Sequence, residues 1–143
     1  MRKLLLFTAV LYISQLLYAQ TPVAYYPFNG NANDAVGINN GIVTNATLTA
    51  DRFGNTNSAY NFDGLDDRIN APLSTTVVDN FSIEGWAKIS TLTSDNQIIF
   101  HNGNSFLNGW GLLISSTGSL VILYGAVSYT TVPFQCSLNQ WYH

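Results

Sequence analysis

Apolar and polar residues alternate with a period of two along much of this chain. Residues 81–89 show the alternation most clearly, and one face of that segment would carry Phe81, Ile83, Ala87 and Ile89. Side chains of a β-strand point to opposite faces in turn, so this pattern predicts a strand with one buried face. After residue 20 we find no helical period of useful length, which favours an all-β chain.

Other segments extend the same prediction. Residues 119–124 are apolar on both faces, as in a central strand, and residues 110–114 can pair with them across a turn that ends in Gly118. Further strands are predicted at residues 23–28, 41–48, 59–62, 68–71, 97–101 and 127–132. Turn-rich segments separate them, and many short strands at this spacing predict an all-β fold, an antiparallel β-sandwich or jelly roll.

The first 19 residues have the composition of a targeting segment. Arg2 and Lys3 precede an apolar stretch over residues 4–17, and Ala19 offers a small residue for cleavage. This order predicts a secretory signal peptide over residues 1–19, followed by one domain over residues 20–143. The alternative is a membrane anchor, but the apolar run is short for a span of about 20 residues. We therefore expect a secreted or cell-surface protein with no stable membrane span after cleavage.

Charged residues make up 9% of the chain, against about 25% in an average soluble protein. Residues 20–143 contain three basic residues, Arg52, Arg68 and Lys88, against eight acidic ones, a formal net charge of −5. So few cations argue against nucleic acid as a partner. Cys136 is the single cysteine and cannot form an intramolecular disulfide, so we expect it to be a small buried apolar residue.

Several sequence blocks narrow the fold further. They are AYYPFNGNAND at 24–34, DRFGN at 51–55, AYNFDG at 59–64, DDRI at 66–69 and FSIEGW at 81–86. In this order and spacing they resemble the laminin G-like jelly-roll domains of the concanavalin A-like lectin/glucanase superfamily. Domains of that family continue past the block NQWYH at 139–143, so the resemblance implies that the domain over residues 20–143 is incomplete at its C-terminus.

The resemblance implies a non-catalytic recognition or adhesion module that binds a glycan or an extracellular protein. Aromatic side chains stack on sugar rings and amide side chains hydrogen-bond to hydroxyls, so both residue types are ligand candidates. The candidates are Trp86, Trp110, Asn102, Asn104 and Tyr124. Each aromatic residue could instead pack in the core. The alternative function is an accessory carbohydrate-binding domain, or a fragment, of a larger secreted glycoside hydrolase or adhesin.

Calcium is the cofactor that the resemblance implies, held by acidic side chains and loop carbonyls. Calcium takes 6–8 oxygen ligands, and carboxylates separated by glycine can converge on one ion. The candidate ligands are Asp34, Asp63, Asp66 and Asp67, all in turn-rich segments. Asp63 and Asp67 could instead cap turns through their own backbone amides, and Asp66 or Asp67 could pair with Arg68 or Arg52.

An enzymatic function is not expected. The related glucanases use two strand-borne glutamates, and a retaining glycosidase needs two carboxyl groups about 5–5.5 Å apart. This chain has a single glutamate, Glu84, without a second acid at strand spacing. The residues also contain neither a Gly-x-Ser-x-Gly nucleophile motif nor a cluster of His and Cys for zinc.

Overall fold

The structure is a computed structural model that describes residues 21–72, 81–104, 109–125 and 127–143. For residues 127–133 only the backbone is described. Within these ranges the chain has no helix, and every paired strand is antiparallel. The all-β prediction is confirmed, and the arrangement is β-sandwich-like. The predicted signal peptide lies outside the described residues.

The described residues contain ten strands. They are β1 (Ile42–Thr44), β2 (Thr47–Thr49), β3 (Ala59–Asn61), β4 (Arg68–Asn70), β5 (Ala87–Lys88), β6 (Gln97–Asn102), β7 (Trp110–Ile114), β8 (Ser119–Tyr124), β9 (Val127–Gln135) and β10 (Trp141–Tyr142). Strands β6, β7, β8 and β9 form one four-stranded sheet in that order, and the others form the two-stranded ribbons β1–β4, β2–β3 and β5–β10.

The centre of the four-stranded sheet is the predicted hairpin of β7 and β8. Its turn is closed by the amide of Gly118, which donates to the carbonyl of Ser115 at 2.9 Å, and by the amide of Ser115, which donates to the carbonyl of Ser119 at 2.9 Å. Gly118 has φ +83°, a left-handed conformation that glycine adopts readily because it has no Cβ. The predicted strand over residues 97–101 corresponds to β6, and the one over 127–132 lies inside β9.

The two faces of this hairpin have different surroundings. Leu113, Val121 and Leu123 form a buried cluster on one face, where Leu113 and Val121 are direct cross-strand partners. Trp110 and Tyr124 are also partners, but they lie on the opposite face because side chains alternate along a strand. Burial of this cluster therefore places Trp110 and Tyr124 on the other face of the sheet.

One predicted strand is shorter than expected, and another does not form. Only Ala87–Lys88 of residues 81–89 is a strand, because β10 is the one described partner of that segment and it reaches only two residues. The predicted buried face is consequently open at its start, where Phe81 is 54% and Ile83 46% exposed. Residues 23–28 form no strand either, since their backbone bonds to a loop rather than to another strand, as in the bond from Ala35 N to the Tyr25 carbonyl.

The predicted strand over residues 41–48 is divided into β1 and β2. Asn45 separates them with φ +61°, a backbone conformation that redirects the chain. β1 then pairs with β4 and β2 with β3, so the two halves join different ribbons. Strands β3 and β4 lie where residues 59–62 and 68–71 predict them. Cys136 is buried, as expected. Its backbone amide donates a hydrogen bond to the carbonyl of Gly118 at 2.8 Å, which attaches this residue to the β7–β8 turn.

Replacing Gly118 by alanine should destabilise the protein by about 1–2 kcal/mol, because an L side chain is strained in the left-handed region. The added Cβ would also lie 3.3 Å from the carbonyl oxygen of Cys136. The matched control is Gly85→Ala, whose Cβ would meet nothing within 4 Å, and we expect it to change stability by less than about 0.5 kcal/mol. Urea unfolding of both variants measures the difference. Equal effects would contradict the assigned turn geometry.

Candidate functional site

Three of the ligand candidates form a row across the four-stranded sheet. Asn102 of β6 is the cross-strand partner of Trp110 of β7, and Trp110 is the partner of Tyr124 of β8. Directly opposed residues share a face and have Cβ atoms about 5 Å apart. The antiparallel register thus brings together an amide and two aromatic rings that are distant in sequence. We call Asn102, Trp110 and Tyr124 the aromatic row.

A groove of about 280 Å³ lies on the same face as the aromatic row. The residues that line it are mostly apolar: Phe81, Ile83, Phe100, Trp110, Gly111, Leu112, Ile122, Leu123 and Tyr124. The Trp110 ring contacts Phe81 at 4.6 Å and Phe100 at 5.7 Å between centroids, which holds the indole in place. Tyr124 is 70% exposed, so its ring is accessible from solvent. Phe81 and Ile83, which the sequence predicts to be buried, instead form part of this groove.

The other two ligand candidates lie elsewhere. Asn104 closes a loop next to the row, because its carbonyl accepts the Gly109 amide at 2.5 Å, while residues 105–108 of that loop lie outside the described residues. Trp86 is not part of the groove lining. Its ring instead contacts the guanidinium of Arg52 at 4.3 Å and the ring of His143 at 4.9 Å. The sequence prediction therefore combined residues from two surfaces.

Three of the four predicted calcium ligands come together. Asp63, Asp66 and Asp67 each offer a carboxylate oxygen, and these oxygens lie within 4.8 Å of one another. The cluster sits in the loop between β3 and β4. The Asp63 amide donates to Asp67 Oδ2, and Asn45 Nδ2 donates to Asp66 Oδ2, both at 2.8 Å, so the loop is held by its own acids.

The spacing of these oxygens fits a calcium ion. Calcium–oxygen distances are about 2.3–2.6 Å, so two ligands of one ion are at most about 5 Å apart. Each carboxylate retains lone pairs beyond the single hydrogen bond described for it. Three such groups would supply part of the 6–8 oxygens that calcium takes, and the carboxylate chemistry suits a hard cation.

Asp34 is not a member of this acidic cluster. It is buried, and its Oδ1 accepts the amides of Tyr25 at 3.0 Å and Val36 at 3.1 Å, while Oδ2 accepts the amide of Asn39 at 3.3 Å. The hydrogen bond from the Tyr25 amide is the main cause that lowers the pKa of Asp34 below 3.8, against the opposing effect of burial. Asp34 thus organises the loop over residues 29–40 by accepting its backbone amides, a role that the sequence suggested for Asp63 and Asp67 but not for Asp34.

Asp51 has the same role and was missed as a candidate residue. Its Oδ1 accepts the amides of Phe53 and Asn55 at 2.9 Å each, and its Oδ2 accepts the side-chain amide of Asn55 at 3.0 Å. The bond from the Asn55 side chain is the largest cause that lowers the pKa of Asp51. The available signal was the order Asp, two residues, Gly, Asn, in which Gly54 takes φ +87°.

Glu84 is exposed in the segment before β5 and belongs to no strand. Glu84 therefore does not occupy the strand position that two paired catalytic glutamates would need. The expectation that the chain is not an enzyme stays a prediction.

Comparisons with protein-family models, with curated proteins and with solved structures gave no match for this chain. Among the described residues, no helix is long and apolar enough to cross a bilayer.

Asp34→Asn should destabilise the protein and make its remaining stability less dependent on pH in the acidic range. Because folding lowers the pKa of Asp34, its stabilising effect is complete well above 3.8 and is lost as the pH falls through 3.8 towards the lowered value. Melting temperatures at about pH 7 and about pH 3 measure this linkage. The control is Asp95→Asn, at an exposed residue whose carboxylate has no described hydrogen bond. The assignment fails if Asp34→Asn loses as much stability on acidification as the wild type does.

Proposed function

We propose that this chain is a secreted, non-catalytic recognition module of the laminin G-like jelly-roll type that binds a glycan or an extracellular protein. The observation that carries the proposal is the aromatic row beside an open apolar groove. Its three residues are cross-strand neighbours, so the sheet holds an amide and two rings in a fixed relation.

The chemistry of this face suits a sugar. A pyranose presents C–H groups that pack on an aromatic ring, and hydroxyls that bond to an amide which both donates and accepts. Tyr124 supplies the exposed ring, Trp110 a ring fixed by its neighbours, and Asn102 the amide. Contiguous apolar surface on a protein commonly marks a binding site.

The dimensions of the groove favour a glycan over a protein partner. A groove of about 280 Å³ lies near the lower limit of small-ligand pockets, which begins at about 300 Å³, so it suits one ring-sized group. A stable protein partner would need about 800 Å² on each side, far more than this groove provides. We therefore test glycan binding first.

Tyr124→Ala should weaken retention on an immobilised neutral polysaccharide by about 2- to 10-fold, because it removes one stacking ring. Affinity electrophoresis across a panel of neutral polysaccharides measures the effect. The matched control is Tyr25→Ala, which removes another exposed tyrosine that is not part of the groove lining. If Tyr25→Ala and Tyr124→Ala weaken binding equally, or if no polysaccharide or matrix protein is bound, the proposal is wrong.

We further propose that calcium supports this module through the cluster of Asp63, Asp66 and Asp67. These residues would hold the ion, which would neutralise three neighbouring carboxylates and fix the loop between β3 and β4. Support comes from the oxygen spacing within 4.8 Å and from the absence of any ion pair to these carboxylates among the described residues.

Calcium at about 100 times its dissociation constant should stabilise the protein by about 2.7 kcal/mol, and a chelator should remove the effect. Thermal melts with calcium, with magnesium and with chelator measure it. Asp67→Asn should reduce the calcium-dependent shift, whereas Asp95→Asn, at an exposed acid outside the cluster, should preserve it. An unchanged melting temperature in calcium would exclude the site.

A further inference from the structure

The ribbon of β5 and β10 carries a second surface that the groove does not include. Lys88 is the cross-strand partner of Trp141, and its Nζ lies 5.2 Å from the centre of the Trp141 ring. Trp86 precedes Lys88 by two residues and His143 follows Trp141 by two, so all four share one face of the ribbon. The contact between the Trp86 and His143 rings, at 4.9 Å, agrees with this register.

Arg52 joins this face from the loop after β2. Its guanidinium carbon lies 4.3 Å from the centre of the Trp86 ring and 4.1 Å from that of Phe53. We call Arg52, Phe53, Trp86, Lys88, Trp141 and His143 the cationic patch. It gathers two of the three Lys and Arg residues of positions 20–143, although that part of the chain has a net charge of −5.

The charges of the patch have no acidic partner within the described residues. Neither the Arg52 guanidinium nor the Lys88 ammonium forms an ion pair or donates a hydrogen bond there. Asp51, the residue before Arg52 in the chain, accepts hydrogen bonds from three donors of its own loop. A guanidinium has five N–H donors that point outward in its own plane. When its flat face stacks on an aromatic ring, these donors at its edge remain available for hydrogen bonds.

We propose that the cationic patch binds a carboxylate-bearing glycan, a polymer that contains uronate sugars. The edge of Arg52 would receive a carboxylate in the bidentate geometry that guanidinium favours, and Lys88 would receive the charge of a neighbouring residue. The exposed rings of Phe53 and Trp86 would pack against the sugar. Alternating rings and cations match a polymer that presents a ring and a carboxylate in each unit.

The inference shares with the proposed function the premise that the ligand is a glycan, but it concerns different residues. None of the patch residues lines the groove. The two proposals therefore fail separately: groove variants change the binding of neutral glycans, and patch variants change the binding of acidic ones.

The test measures binding of the full chain to oligogalacturonate and to its methyl ester, with chelator present to exclude calcium bridging. The ester keeps the sugar rings and removes the charge, so we expect it to bind at least about ten-fold more weakly. Arg52→Gln should lower affinity for the acid by about ten-fold or more and leave that for the ester unchanged. Lys88→Gln should also weaken binding of the acid.

Arg52→Lys keeps the charge but removes the planar fork, so it should still weaken binding, and it serves as the second variant should Arg52→Gln unfold. The matched control is Arg68→Gln, at an exposed arginine outside the patch whose Nη1 donates to the Asp66 carbonyl. The proposal is overturned if acid and ester bind equally, if neither binds, if Arg68→Gln has the effect of Arg52→Gln, or if polyglutamate is bound as tightly as oligogalacturonate. Loss of neutral-glycan binding in Tyr124→Ala, without loss of oligogalacturonate, would leave the patch intact.

Discussion

The alternation of side chains along the β7–β8 hairpin is the constraint on which the sheet and its groove depend. Burial of Leu113, Val121 and Leu123 on one face commits their neighbours to the other. A shift of one residue would exchange the two faces, so the core also holds the register that aligns Trp110 with Tyr124. The same apolar burial that stabilises the sheet therefore aligns the half-buried Trp110 with the exposed Tyr124 on the other face.

Outside this sheet, aspartate side chains stabilise several loops by accepting hydrogen bonds from backbone amides. Asp34, Asp51 and Asp63 each accept backbone amides within their own loops, in place of the hydrogen bonds that longer strands would make. Buried or turn-forming amides need such partners, and Asp is suited to supply them over two to four residues. These hydrogen bonds hold the loops between the short strands in one conformation. The three aspartates therefore have a structural role besides their charge.

The sequence was sufficient to predict those elements whose pattern lies within one short segment. The hairpin of β7 and β8 follows from apolar runs on both sides of a turn ending in Gly118, and its prediction is confirmed. Residues 81–89 show the limit: alternation states that a segment can be a strand, but a strand also needs a partner, and β10 reaches only Ala87 and Lys88. The acidic cluster was predictable because its members are adjacent in sequence. The contact of Arg52 with Trp86 was not, since it joins distant segments and no local period encodes it.

The two candidate surfaces differ in what holds their side chains. In the groove, Trp110 is fixed by ring contacts with Phe81 and Phe100, so the groove presents an aromatic ring of fixed position. In the cationic patch, Arg52 is fixed by ring faces, so its donors remain available for a charge that the described part of the chain does not provide. A net negative protein repels an anionic polymer over most of its surface, and screening confines that repulsion to about 8 Å at physiological ionic strength. Repulsion outside the cationic patch would then confine a bound uronate polymer to the patch, because only there do aromatic rings and cations both contact it.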